Sequence, residues 1–233
     1  MNHIGSSPMP VREPIRPADA LREPHMVSAP DPRSDATDSE VELSLRRQHQ
    51  RIAHFQLSPF VPAPVAIQFE TAKNLFLYAW HVYRFYPVAE SLALTTLEFG
   101  LRERLQGTQA PTSGQKSKRP PTLAPLLVEA VKLGLIRNEG FARWHNSGAQ
   151  RAIERHRFEN LQRMIDEGLS ELEFDDADAV VSPEDLDWDL VAILLNTLHM
   201  HRNMHAHGSS HLTPAVLGTF ELVAKILNQV FST

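Results

Sequence analysis

The sequence of 233 residues contains no cysteine and no long apolar run. Without cysteine the chain cannot form a disulfide, a thiolate metal site or a cysteine nucleophile. No apolar stretch reaches the ~18–20 residues that a membrane-spanning helix needs, and no apolar core follows Met1 as it does in a secretory signal. We therefore predict a soluble cytoplasmic protein with no membrane partner.

The sequence also has no excess of basic residues. The chain has 23 Lys and Arg against 28 Asp and Glu, which gives a formal net charge of -5. This balance argues against coating of nucleic acid by the whole surface, but it is compatible with a local basic groove. Hydrophobic residues make up 42% of the chain, which is enough for a sizeable core. Histidine is the unusually frequent residue, with 12 copies.

The composition changes along the chain. Seven of the 17 prolines lie in residues 1–32, and the first aromatic residue is Phe55. Because this early stretch lacks bulky groups that could offset the entropy of ordering, we predict a disordered arm over residues 1–37 and a domain over residues 38–233. Residues 107–121 are typical of a flexible basic loop, and residues 168–182 are an acidic connecting segment that we expect to be solvated.

Apolar spacing and helix caps predict an all-α fold. No segment shows convincing strand alternation, and no repeat of fixed period is present. Pro87 is expected to break or kink one long helix, Gly134 to end another, and Ser182 to begin the sixth. The predicted helical segments are 38–52, 65–85, 88–105, 122–133, 147–167, 182–207 and 213–230.

The C-terminal end of the sixth predicted helix holds the densest group of reactive side chains. It reads HMHRNMHAHG over residues 199–208. Arg202 and Asn203, followed after three residues by His207, resemble the RNxxxH signature of HEPN domains. The longer string RNMHAHG resembles the RNxxAHG form of bacterial members.

Two upstream segments extend the resemblance. The stretch ESLALTTLEFGLRERL, residues 90–105, is similar to the second bundle helix of HEPN domains. The stretch LAPLLVEAVKLGLI, residues 123–136, resembles a connecting segment of one bacterial branch. The resemblance covers about 140 to 170 residues by pattern and is an identity only at residues 202–208.

The resemblance implies an antiparallel HEPN-like helical bundle with additional helices and the disordered N-terminal arm. It implies a metal-independent endoribonuclease that acts on RNA without a cofactor, in a defence or toxin-antitoxin setting with an antitoxin or another protein partner. It also implies a homodimer in which two motifs face one cleft, with Arg202, Asn203 and His207 as catalytic residues and Glu98 as a further candidate.

The motif has a coherent chemical use. His207 follows the negative end of a helix dipole, which raises its proton affinity and suits it to general acid/base work near neutral pH. The planar guanidinium of Arg202 matches phosphate oxygens. Asn203 lies four residues before His207 and is placed to orient the ring. Arg202 lies about 140° around an ideal helix from His207, so the two groups converge only if the last turn distorts or a second copy contributes.

Structural alternatives remain open at this point. Arg202 and His207 can instead satisfy carbonyls at the helix end. Glu98 and Arg102 are also spaced as an i, i+4 surface pair. His201 and His205 are spaced to bind zinc with His199, His207 or His211 as a third ligand, but no nearby carboxylate or cysteine completes the set. The competing function is a non-catalytic module that binds RNA, a nucleotide or a protein, which the net charge of -5 favours.

Overall fold

The computed structural model of the chain describes residues 28–34, 41–106, 121–206 and 213–232. Within these ranges the protein is helical and contains no strand, which confirms the all-α prediction. No described helix combines the length and the apolar character needed to cross a membrane. The helices are α1 (Val41–Ala53), α2 (Ala63–Tyr78), α3 (Phe85–Gln106), α4 (Leu123–Lys132), α5 (Ala142–Asp166), α6 (Leu190–Ala206) and α7 (Leu217–Val230).

α3 is the central helix of the fold. It packs against α2, α4, α6 and α7, and its buried face includes Leu94, Leu97 and Leu101. α7 approaches α3 closely at Gly100, where an added Cβ would lie 2.5 Å from a terminal methyl of Leu227. A side chain at this position would force the end of Leu227 to move, so glycine allows the two helices their close approach.

The boundary between α2 and α3 differs from the predicted one. The helix predicted over residues 65–85 ends at Tyr78, and the backbone amide of His81 donates to the Tyr78 carbonyl at 2.9 Å in the turn that follows. α3 then begins at Phe85, before Pro87. Pro87 lies in the first turn of a helix, where an amide has no intrahelical acceptor, so it does not break the helix as predicted.

Gly134 ends α4 as predicted. Its φ of 67° places it in the left-handed region, and the Leu135 amide donates back to the Ala130 carbonyl at 2.9 Å. This pattern is a Schellman motif, which favours glycine. α5 then starts at Ala142, five residues before its predicted start, and its first turn carries the buried Trp144.

The predicted start of α6 at Ser182 is wrong. Ser182 and Asp185 form a capping box, but the turn they begin, Pro183–Leu186, is 3₁₀ and stops at Asp187. α6 starts afresh at Leu190, where the Asp189 carboxylate accepts from the Ala192 amide at 3.0 Å. Ser182 and Asp189 are both residue types that cap helices, and the later of the two begins α6.

The last helix also begins later than predicted. The Thr213 hydroxyl accepts from the Ala215 amide at 3.1 Å, so it caps a turn, and α7 starts at Leu217. Its apolar face is otherwise the predicted one, with Phe220, Val223 and Leu227 fully buried.

Residues 28–34, which fall within the predicted disordered arm, contact the turn that follows α2. Asp31 is 1% exposed and accepts from the Tyr83 amide at 3.0 Å, while its own amide donates to the Trp80 carbonyl at 3.0 Å. Arg33 forms an ion pair with Asp31 at 2.8 Å and lies 5.1 Å from the centre of the Tyr83 ring. Residues 28–34 are thus docked on the turn between α2 and α3, and residues 1–27 lie outside the described part.

Replacing Asp31 with Asn should release residues 28–34 from this turn. Burial by itself raises the pKa of Asp31, but hydrogen bonds from the Arg33 side chain and from the Tyr83 and Arg33 amides lower it to about 2. The ionised carboxylate should therefore hold the segment fully above pH 3.8, and the docking should weaken as the pH falls through about 2. Above pH 3.8 we expect it to stabilise the docked segment by about 1–2 kcal/mol. The Tyr83 amide signal in NMR spectra reports this titration directly.

The control is Asp187→Asn, which removes an exposed carboxylate. We expect faster hydrogen exchange at Tyr83 in Asp31→Asn and not in Asp187→Asn. Equal exchange in the two variants would show that the carboxylate does not hold the segment.

Candidate functional site

The sequence motif lies at the C-terminal end of α6. The α6 backbone runs through Arg202 and Asn203 and ends at Ala206, directly before His207. His207 lies outside the described residues, as do the side chains of Arg202 and Asn203. The structure therefore places the first two motif residues on the last turn of a helix, and their catalytic roles stay a prediction.

The beginning of α6 is fixed by residues that sequence reasoning missed. The side-chain oxygen of Asn138, just before α5, accepts from the Val191 amide at 2.8 Å. The indole N–H of Trp144 donates to the Trp188 carbonyl at 3.0 Å. Both contacts join residues more than 40 positions apart, so no local pattern signals them. They anchor the helix whose other end carries the motif.

α6 packs on the inner face of the bundle. It contacts α3 and α4, with Leu190, Val191 and Leu198 buried. Ile193, on another face, is exposed. Packing against α3 brings α6 onto the same helix that carries Glu98, the fourth predicted site residue.

Glu98 forms the i, i+4 pair with Arg102 that the spacing allows, but its side chain is buried. It is 6% exposed and pairs with the guanidinium of Arg102 one turn later. Arg102 in turn donates from Nε and from a terminal nitrogen to the Pro121 carbonyl, each at 3.2 Å. This pair ties α3 to the chain that enters α4, and α4 packs on α6. The side chains of Arg202 and His207 lie outside the described residues, so a contact of Glu98 with either stays a prediction.

Two arginines of α5 pair with acidic residues in or just after the acidic segment of the same chain. Arg155 on α5 binds Asp185 at 2.8 Å and 3.3 Å, and it also donates to the Val180 carbonyl at 2.8 Å. Arg157 pairs with Asp176 through two hydrogen bonds. The acidic segment therefore folds back along α5 and, although largely exposed, is held in place by these pairs.

These contacts also change the titration of the acids. Hydrogen bonding to Arg155, followed by hydrogen bonding to Ser182, holds the pKa of Asp185 well below its usual value. Hydrogen bonding to Arg157 lowers the pKa of Asp176. Both carboxylates stay ionised near neutral pH and offset the charge of the adjacent arginines. This part of α5 therefore attracts an RNA backbone less than its arginines alone would.

The metal alternative of the sequence analysis rests on side chains that the structure does not describe. Among the described residues, no group of three or more His, Asp or Glu side chains is suited to a metal ion. The side chains of His201 and His205 lie outside the described part, so their proposed zinc pair stays a prediction. The same holds for the loop predicted over residues 107–121, of which only Pro121 is described.

Comparisons with known proteins give no relative. No family model matches the chain, no curated protein matches it, and no solved structure matches it.

A double-mutant cycle on Glu98 and Arg102 separates a structural role from a catalytic one. Arg102→Met leaves a buried carboxylate without this cation and the Pro121 carbonyl without this donor, so the free energy of unfolding should fall by about 1–3 kcal/mol. Adding Glu98→Met should recover part of the loss because the buried charge is then gone. Urea unfolding monitored by circular dichroism measures each variant.

Recovery of stability in the double variant indicates that the pair is structural. Losses that add without recovery would contradict this reading of the Glu98–Arg102 contact.

Proposed function

We propose that this protein is a metal-independent endoribonuclease of the HEPN type. The observation that supports the proposal is the RNxxxH sequence at the C-terminal end of α6, a helix packed into an all-helical arrangement. The end of a helix is a position at which His207 benefits from the negative pole of the dipole and at which the chain is accessible to a substrate.

The reaction follows from the three side chains. His207 takes the proton from a ribose 2′-hydroxyl, whose oxygen attacks the adjacent phosphorus. The bond from phosphorus to the 5′-oxygen breaks, and that oxygen receives a proton from a general acid. Arg202 stabilises the negative charge of the crowded phosphorus intermediate, and Asn203 orients the imidazole. The products are a 2′,3′-cyclic phosphate and a 5′-hydroxyl, and no metal or cofactor enters.

The site is a composite of two copies in this proposal. Arg202 and His207 are five residues apart, which is about 140° around a regular helix, so one undistorted helix does not direct both at one phosphate. In a two-fold homodimer Arg202 of one copy and His207 of the other meet across the cleft. A defence or toxin-antitoxin role, with an antitoxin or another protein as partner, belongs to the same proposal.

The second candidate is a non-catalytic module that binds RNA, a nucleotide or a protein. The pairing of Arg155 and Arg157 with acids of the same chain favours it, as does the net charge of -5. Both features reduce the positive surface that a general nuclease uses to attract RNA.

Cleavage of single-stranded RNA in EDTA distinguishes the two functions. We expect the wild-type protein to cut, and His207→Ala and Arg202→Ala each to lose about 100-fold or more of the rate, since each removes one role in the transition state. His54→Ala, at the exposed residue directly after α1, and Arg47→Ala, at an exposed position of α1, are the matched controls and should keep full activity. Gel analysis of the RNA ends measures rate and chemistry together.

RNA that binds but stays intact with the wild-type protein would support the non-catalytic module. Cleavage that EDTA abolishes would instead point to His201 and His205 as metal ligands.

Mixing the two inactive variants tests the composite site. A dimer with one Arg202→Ala copy and one His207→Ala copy retains one intact site, because both changes fall in the other site. After subunit exchange we expect about a quarter of wild-type activity, since half of the dimers are mixed and each has one of two sites. Sedimentation should give a particle of twice 26.3 kDa.

No recovery on mixing, in a sample whose subunits are shown to exchange, would contradict the shared site. A 26.3 kDa particle at micromolar concentration would contradict the dimer itself.

A further inference from the structure

The outward face of α5 is apolar over the second half of the helix. Phe158, Leu161 and Ile165 are 66%, 50% and 63% exposed. Their spacing of three and four residues places them within about 60° of one another around the helix, so they form one continuous row. We call these three residues the α5 stripe. Exposed apolar residues scattered singly are ordinary, but a contiguous row marks an interaction site.

The stripe points away from the rest of the protein. The buried residues Gly148, Ala152 and Asn160 lie on the opposite side of the helix from the stripe. On that side α5 packs chiefly on short 3₁₀ turns, which are Asn138–Gly140, Asp176–Asp178 and Pro183–Leu186. Among the described residues, no long helix covers the stripe.

The helix that carries the stripe is held at both ends of the row. Before the stripe, Arg155 pairs with Asp185 at 2.8 Å. After it, Gly168 adopts a φ of 66°, and the Leu169 amide donates to the Met164 carbonyl at 2.9 Å, which is the hydrogen bond of a Schellman motif. The stripe is therefore formed before any partner arrives, which lowers the entropic cost of covering it.

Two exposed charges lie beside the stripe. Arg151 precedes Phe158 by seven residues, and Asp166 follows Ile165 directly. Both lie on the same edge of the stripe, at about 20° and 80° from Phe158 around the helix. Arg151 lies 5.4 Å from the centre of the Trp188 ring, and Asp166 accepts from the Gln162 side chain at 2.9 Å. Neither forms an ion pair within the described part of its own chain.

An antiparallel second copy of α5 matches both the stripe and these charges. Equal edges of two antiparallel helices face each other, so Arg151 of one copy faces the edge that carries Asp166 of the other. When Phe158 lies opposite Leu161 of the other copy, Asp166 is within one helical turn of that copy's Arg151. A two-fold axis forms this pair twice. In a parallel pair the two Arg151 side chains would lie at one level and no opposite charges would meet.

We propose that a second copy of this chain covers the α5 stripe. Phe158, Leu161 and Ile165 of the two antiparallel helices form the apolar centre of the contact, and Arg151 of each copy pairs with Asp166 of the other. This inference names an interface for a homodimer and uses neither Arg202 nor His207, so it does not rest on the ribonuclease proposal.

Sedimentation of the full-length protein over a range of concentrations tests the apolar centre. We expect the wild-type particle to have twice the mass of 26.3 kDa. Ile165→Asp should raise the dissociation constant of the dimer about 100-fold or more, because a two-fold axis places the new charge in the contact twice. The matched control is Ile67→Asp on α2, which changes an isoleucine that is 67% exposed outside the stripe and should leave the dimer unchanged.

A charge exchange tests the antiparallel direction. Arg151→Glu and Asp166→Arg should each weaken the dimer about three- to thirtyfold, because each brings like charges together at two places. The two changes combined in one chain restore opposite charges across the axis and should return the dissociation constant to near the wild-type value. Tightening by Arg151→Glu alone would instead identify a parallel pair and overturn the proposed contact.

Circular dichroism and thermal unfolding of each variant verify that the fold is retained. A dimer that persists unchanged in folded Ile165→Asp would overturn the proposal, as would equal weakening by Ile67→Asp or a wild-type particle of 26.3 kDa. The mass is measured without RNA, so its outcome is separate from that of the cleavage assay. A protein that leaves RNA intact but dissociates on Ile165→Asp supports this interface and contradicts the ribonuclease alone.

Discussion

The enclosure of α3 by four other helices is the constraint on which the rest of the structure depends. A polar side chain on such a helix must find its partner inside the protein, because an unpaired buried charge is costly. Glu90 accepts from the Thr219 hydroxyl at 2.5 Å and so connects α3 to α7. Glu98 pairs with Arg102, which holds the Pro121 carbonyl at the entry to α4. Two buried carboxylates thus determine where two neighbouring helices attach, and α6 rests on one of these helices.

This arrangement explains which parts of the fold the sequence predicts. Apolar spacing is a local feature, and it correctly predicts the seven helices of the described residues. The glycine at position 134 is also local, and it correctly predicts the end of α4. The predicted start of a helix is wrong where a contact with a distant residue determines it. α6 starts at Leu190 in part because Asn138 accepts from the Val191 amide across 53 positions, and a local cap signal at Ser182 competes with that contact. Long-range hydrogen bonds leave no periodic trace in the sequence.

Single buried polar groups are the second reason why prediction fails. The average composition of residues 1–37 predicts a disordered arm. One carboxylate within it, Asp31, accepts hydrogen bonds from Tyr83 and Arg33, and these contacts dock its segment on the turn after α2. Gln48 lies on the apolar spacing of α1, and this position is the available signal that its amide is buried. Neither its acceptor on Phe76 nor its donor on Tyr86 can be read from the spacing. The attachment of α1 to α2 and α3 depends on these contacts, so the spacing does not predict it.

The same distinction between local pattern and long-range pairing bears on function. The sequence shows the arginines of α5 but not their partners, and in the structure Arg155 and Arg157 are paired with acids of the same chain. The motif at the end of α6 is local and needs no long-range contact to be recognised in the sequence. If the chain cleaves RNA, Arg155 and Arg157 contribute less to the affinity than their charge suggests, because each is paired with an acid of the same chain. A surface that neutralises few phosphates releases few counterions, so specificity in such an enzyme depends on the geometry of the cleft more than on charge.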